Sequence, residues 1–99
     1  MSEERRQHYR RPFRSTAFVV QQKGTPELCV RDLSLEGCGG YFNGDPRLEE
    51  GSIVRMKLPS LDIEVWAMMT RLIPVDKGRY YAGFHFSPST IRTEASRLF

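Results

Sequence analysis

The sequence predicts an all-β fold, a sandwich or a barrel, on three observations. From Ser15 onward the chain consists of short stretches in which apolar and polar residues alternate, the period-2 signature of half-buried strands. These stretches are separated by clusters of Gly, Pro, Asn and Asp, the residues that tight turns need. Helical spacing of apolar residues is absent until the C-terminal end. At 99 residues, 39% of them hydrophobic, the chain supports one domain with a modest core, because below about 150 residues there is too little surface to bury for two.

The elements follow in order. A first strand is expected over 17–22, ending at the turn-forming Lys23-Gly24-Thr25-Pro26, and a second over 27–33, at hairpin distance and so antiparallel to it. A third covers 38–42, weakened by Gly39-Gly40, and stops at Asn43-Gly44-Asp45-Pro46, a loop signal. In the fourth, 53–58, Val54, Met56 and Leu58 share the core face while Arg55 and Lys57 share the other. After a turn at 59–61, a fifth strand over 62–73 alternates Ile63, Val65, Ala67 and Met69 with Glu64, Trp66, Met68 and Thr70, which turns Trp66 outward. Asp76-Lys77-Gly78 makes a hairpin to the last strand, 79–86, whose core members are Tyr80, Ala82, Phe84 and Phe86. Ser87-Pro88 starts a short helix with Ile91, Ala95, Leu98 and Phe99 on the face laid against the strands.

Charge divides the chain unevenly. Residues 1–14 hold five arginines against Glu3 and Glu4, which is the whole net surplus of +3, and the remaining 85 residues carry ten basic and ten acidic groups. The organisation expected is therefore a flexible basic arm, 1–14, on a neutral β-domain, 15–99. An arginine arm fits a polyanionic partner, because the guanidinium fork matches phosphate oxygens; a solvated terminus that aids solubility is the plainer use of such a cluster. The neutral body argues against a nucleic-acid groove, which spreads Lys and Arg over a face.

Other classes are disfavoured. No apolar run approaches the ~20 residues of a bilayer span, and the charged start lacks the apolar stretch of a secretory signal, so no membrane insertion and a cytoplasmic location are expected. Cys29 and Cys38 are too few for a disulfide framework and read as reduced, structural thiols; His8 and His85 do not form a zinc pattern, and no metal site is expected. No nucleophile with a base at plausible spacing appears, so the chain does not read as an enzyme.

Two spaced patterns remain. Arg-x-x-x-Arg occurs at Arg6 and Arg10 and again at Arg10 and Arg14; in an arginine-rich chain such a pair says little alone. Asp32-x-Ser34-x-x-Gly37 is more specific, with a chance probability of about a few per cent in a chain of this length. Asp32 can accept two hydrogen bonds from adjacent N–H donors, as on a guanine edge, and Ser34 adds a donor or acceptor. Gly37 admits a backbone angle or a close approach that a side chain blocks. The structural alternative is that Asp32 and Ser34 only shape the turn before Gly37.

Together, Arg5-Arg6-x-x-x-Arg10, Asp32-x-Ser34-x-x-Gly37 and the late Gly83-Phe84-His85-Phe86 strand resemble the PilZ domain, the bacterial receptor module for cyclic di-GMP, from Glu4 to the C-terminus. The resemblance implies a six-stranded antiparallel β-barrel whose N-terminal arm is mobile when empty and wraps over the ligand. It implies that Arg6 and Arg10 contact phosphates and guanine faces and that Asp32 and Ser34 read a guanine edge. Arg10-Arg11-Pro12 matches the family context of the second arginine, which Arg14-Ser15-Thr16 does not. Arg5, a basic residue before the first motif arginine, goes in the family with an intercalated dimer of the ligand.

The expected function is thus a cyclic di-GMP receptor with ligand contacts at Arg5, Arg6, Arg10, Asp32, Ser34 and Gly37 and no cofactor besides the ligand. Its bound surface is expected to meet an unidentified protein partner controlling motility, pili or exopolysaccharide. A nucleic-acid-binding β-barrel and a ligand-independent adaptor are the alternatives. Cys38 reads as a small buried filler, and Tyr41 and Trp66 as packing on the barrel rather than stacking on a base. Opening on Met1 with a whole barrel pattern, the chain is expected to be a stand-alone regulator.

Overall fold

The computed structural model describes residues 11–21 and 24–87. Six antiparallel strands, β1 (Arg11–Val20), β2 (Glu27–Leu33), β3 (Gly37–Asn43), β4 (Ile53–Leu58), β5 (Ile63–Asp76) and β6 (Arg79–Phe86), close into a barrel in the order β1-β2-β3-β6-β5-β4. Closure removes the unpaired strand edges of an open sheet. It is completed by β1 against β4, in the register Phe18↔Lys57, Val19↔Met56, Val20↔Arg55.

Alternation places the core as the sequence predicts. Val54, Met56 and Leu58 of β4, Val65, Ala67 and Met69 of β5, and Ala82, Phe84 and Phe86 of β6 are buried inside the barrel. Phe42 meets Phe84 edge-on at 6.3 Å between ring centroids. Cys38 is buried in this core, its thiol 3.7 Å from the Met56 sulfur. Cys29 is also free but exposed, so it is not the structural thiol expected: on β2 it alternates with buried Leu28 and Val30.

The connections are local. Lys77 and Gly78 both adopt positive φ in the β5–β6 hairpin, as a tight hairpin requires. The loop after β3 is pinned where the Arg47 amide donates to Asp45 Oδ1 at 2.8 Å and Gln21 Nε2 donates to the Pro46 carbonyl at 3.1 Å. Pro59–Leu61 forms one 3-10 turn between β4 and β5.

Two strand assignments change. β1 begins at Arg11, not at residue 17, so 11–14, expected as the end of the basic arm, belong to the barrel. Backbone pairing with β2 recruits them, Arg11 to Leu33 and Pro12 to Asp32, although their side chains show no apolar alternation. Gly39-Gly40, expected to loosen its strand, pairs in regular register with β6 and stands opposite the irregularity between Val30 and Asp32 of β2. The expected C-terminal helix lies outside the described residues, as do Arg5, Arg6 and Arg10.

Candidate functional site

The barrel carries Asp32, Ser34 and Gly37 at the β2–β3 turn. Ser34 shapes that turn: its backbone N–H donates to the Gly37 carbonyl at 2.9 Å, and its Oγ accepts the Glu36 N–H at 3.1 Å. Ser34 thus has the turn-shaping role that the structural alternative gives it. Gly37 provides a close approach, because a Cβ there would overlap the Phe84 carbonyl oxygen of β6. The turn is also tied to the end of β6 by the Phe86 N–H, which donates to the Glu36 carbonyl at 2.7 Å.

Asp32 owes its position to a β-bulge. Val30 pairs with Gly40 and Asp32 with Gly39, so Arg31 is an extra residue in β2. In uninterrupted alternation Asp32 would share the core face with Leu28 and Val30. The bulge reverses the parity: Arg31 is exposed, Asp32 turns to the outer face, and Leu33 packs against the core. A second bulge, between Met69 and Arg71 of β5, does the same for Arg71. It would otherwise follow Met69 inward; it is exposed, and Leu72 packs against the core instead.

The two bulges align one row across the outside of the barrel. Pro12 of β1 pairs with Asp32 of β2, Asp32 with Gly39 of β3, Gly39 with Gly83 of β6, and Gly83 with Arg71 of β5. A carboxylate and a guanidinium thus flank a floor of two glycines. Beside Gly83, the position of an added Cβ lies 3.3 Å from Thr70 Oγ1 and 3.7 Å from Arg71 Cβ. Arg11, where the described residues begin, pairs with Leu33, between Asp32 and the Ser34–Gly37 turn.

The neighbouring outer row is aromatic. Tyr41 and Tyr81 pair across β3 and β6, with ring centroids 5.3 Å apart and planes at 69°. The guanidinium groups of Arg31 and Arg79 lie 5.6 Å and 5.0 Å from the Tyr41 centroid, within cation–π range; Arg79 also bonds Asp76 at 3.1 Å. Tyr41 thus packs on the barrel as expected, on its outer face and against Tyr81. Trp66 is 46% exposed, as its outward parity predicts, beneath the Arg55 guanidinium, which pairs with Glu64.

The site thus joins Asp32, Ser34 and Gly37 in one place, and β1 enters the barrel beside them. Sequence reasoning missed Arg71, Tyr81, Arg31 and Arg79. The available signal was parity: Asp32 and Arg71 both fall on the core side of an unbroken alternation, an arrangement a charged residue does not tolerate without a bulge. Among the described residues, no three His, Cys, Asp or Glu side chains cluster as metal ligands, and no helix is long and apolar enough to cross a membrane.

Comparison with known proteins bears on the fold and the family. No curated protein matches the chain in sequence. The fold is similar to that of Escherichia coli YcgR, solved in complex with c-di-GMP, with a TM-score of 0.64 at 20% identity over 96% of this chain. The chain spans 45% of the length of that YcgR chain. The family model of the PilZ domain matches residues 4–98, and with both of its spaced motifs inside that range, the chain belongs to the PilZ domain family.

Proposed function

We propose that the chain is a non-catalytic cytoplasmic receptor for cyclic di-GMP, with Arg5, Arg6 and Arg10 of the arm and Asp32, Ser34 and Gly37 of the barrel forming its site. The observation that carries this reading is the bulge at Arg31, which sets Asp32 on the outer face in the row that Pro12 joins. A carboxylate there accepts the N1–H and 2-amino N–H of a guanine edge. Arg6 and Arg10 neutralise the phosphates and stack on the bases. Arg71, at the far end of the row, offers a further guanidinium to the same ligand. Arg5 fits a second, intercalated ligand molecule. Ordering the arm over the ligand creates a new surface, and a partner protein in motility, pilus or polysaccharide control responds through its higher affinity for that surface. Family membership and the fold shared with a protein solved in complex with c-di-GMP support the ligand.

Calorimetric titration with cyclic di-GMP, GTP and a short single-stranded DNA tests the proposal. Selective binding of the dinucleotide with two molecules per chain is expected. Asp32→Ala, Arg6→Ala and Arg10→Ala should each weaken it about 10- to 100-fold, the worth of a hydrogen bond to a charged group. Folded protein that gives no heat with the dinucleotide overturns the reading, and binding to DNA instead replaces it with the nucleic-acid alternative.

A further inference from the structure

We propose that Glu50 is a positioning residue of this site, whose carboxylate holds the β5 bulge in place and so aims Arg71 at the dinucleotide; the inference rests on the cyclic di-GMP reading above. β4 begins at Ile53, which pairs with Met68 of β5. One more residue of β5 is held by backbone on that side: the Met69 N–H donates to the Ser52 carbonyl at 2.9 Å, and the Gly51 N–H donates to the Met69 carbonyl at 2.7 Å. Beyond Met69 no residue of β4 pairs with β5. The tie that continues the ladder comes from a side chain, Glu50 Oε2, which accepts the Leu72 N–H at 3.0 Å.

In an unbroken strand the backbone amides alternate between the two neighbouring strands, so those of residues 69 and 71 would face the same way. Here Met69 and Leu72 do so, because the bulge between Met69 and Arg71 moves the alternation on by one residue. Glu50 therefore bonds the shifted register, in which Leu72 packs against the core and Arg71 is exposed. A bulge one residue further along would leave Arg71 on the core face and turn the Leu72 amide away from Glu50. The acceptor is itself well placed. Residues 49–52 form a tight turn, closed by the Ser52 N–H on the Glu49 carbonyl at 3.0 Å, with Gly51 at φ +95° in the third position, where a type II turn takes glycine. The Glu49 N–H also donates to Ser52 Oγ at 3.2 Å.

Arg71 ends the outer row that runs from Asp32 through Gly39 and Gly83. Three strand spacings, about 14 Å, separate its backbone from that of Asp32. Among the described residues no ion pair engages its guanidinium, whereas Arg55 pairs with Glu64 and Arg79 with Asp76. Its fork is thus open to the phosphate oxygens and to the O6 and N7 acceptors of guanine. Fixing the backbone beneath so long a side chain lowers the conformational freedom lost on binding.

The test uses the full chain, with cyclic di-GMP titrated calorimetrically into wild type, Glu50→Ala, Glu50→Gln, Arg71→Ala and the double variant Glu50→Ala/Arg71→Ala, and thermal unfolding of each to confirm the fold. Arg71→Ala is expected to weaken binding about tenfold or more, the worth of a charged hydrogen bond, and Glu50→Ala about fivefold. Glu50→Gln keeps an oxygen acceptor for the Leu72 amide and should bind within about twofold of wild type. The double variant should bind no more weakly than Arg71→Ala alone, because a residue that acts through Arg71 has nothing left to position. Independent, additive losses in the double variant overturn the inference, as does wild-type affinity in either Glu50→Ala or Arg71→Ala. A Glu50→Gln protein as weak as Glu50→Ala overturns it too, since charge rather than the bond to Leu72 is then what Glu50 supplies. Each of these outcomes leaves the receptor reading standing. Folded wild type that does not bind the dinucleotide overturns the receptor reading, and this inference with it.

Discussion

A Cβ at Gly37 would occupy the place of the Phe84 carbonyl oxygen, so the glycine of the second motif is demanded by the protein's own backbone whatever it does for a ligand. Strands β3 and β6 pair there, Gly37 with His85 and Cys38 with Phe84, and any side chain would push them apart beside buried Cys38 and Phe84. Gly37→Ala is therefore expected to cost about 3 kcal/mol, at the upper end of overpacking effects, and to lower the melting midpoint by roughly 10–20 °C. Calorimetric melting checks this; a midpoint within a few degrees of wild type contradicts it. Ser34 carries the same lesson in milder form, since its hydroxyl is already engaged by the Glu36 amide. Motif residues at this turn build the barrel as well as the surface a ligand meets.

At the scale of the element, period-2 alternation carried most of the fold. Val54, Met56 and Leu58, and Val65, Ala67 and Met69, are buried as their spacing requires, because a strand has only two faces and one must exclude water. The charged residues that alternation misplaces are Asp32 of β2 and Arg71 of β5. Their bulges put the extra residue immediately before the charged one, which turns it to the outer face. A stability contrast within β5 follows. Met69→Ala, before the bulge, is expected to cost about 3 kcal/mol as a buried truncation. Arg71→Ala, after it, should stay within about 0.5 kcal/mol as a surface change. Urea unfolding of the two variants is the measurement, and comparable losses in both would mean that Arg71 is not turned outward.

Across the whole molecule, the seam that closes the barrel is its shortest. β1 and β4 share three residue pairs, whereas β5 and β6 share eight. A short ladder has fewer contacts to lose on opening, and local opening follows the least-supported pairing. Amides of Phe18 and Val20 on β1, which alternate with the Val19 amide bonded to the Pro26 carbonyl on the other side, are thus expected to exchange with deuterium faster than those of Ala82, Gly83 and Phe84 on β6; the reverse order would place the weak seam elsewhere. The pairing of β1 with β2 sets Arg11 against Leu33 and Pro12 against Asp32, so the first described residues of the chain enter the barrel beside the second motif.

By itself the sequence determined the strand class, the order and approximate limits of five of the six strands, and the buried set, because each depends on local alternation and on turn residues that act over a few positions. The Asp32–Gly37 motif and the uneven charge of the chain were equally legible, being properties of composition and spacing. The start of β1 was not, because Arg11 and Pro12 are placed by pairing with the backbone of β2 rather than by any pattern of their own. Nor were Tyr81 and Arg71 legible as site residues. Their approach to Gly39 and Gly83 depends on the pairing of β3 with β6 and of β6 with β5, and on two bulges. Only the closed barrel decided these, since register between strands distant in sequence is set by how the whole core packs.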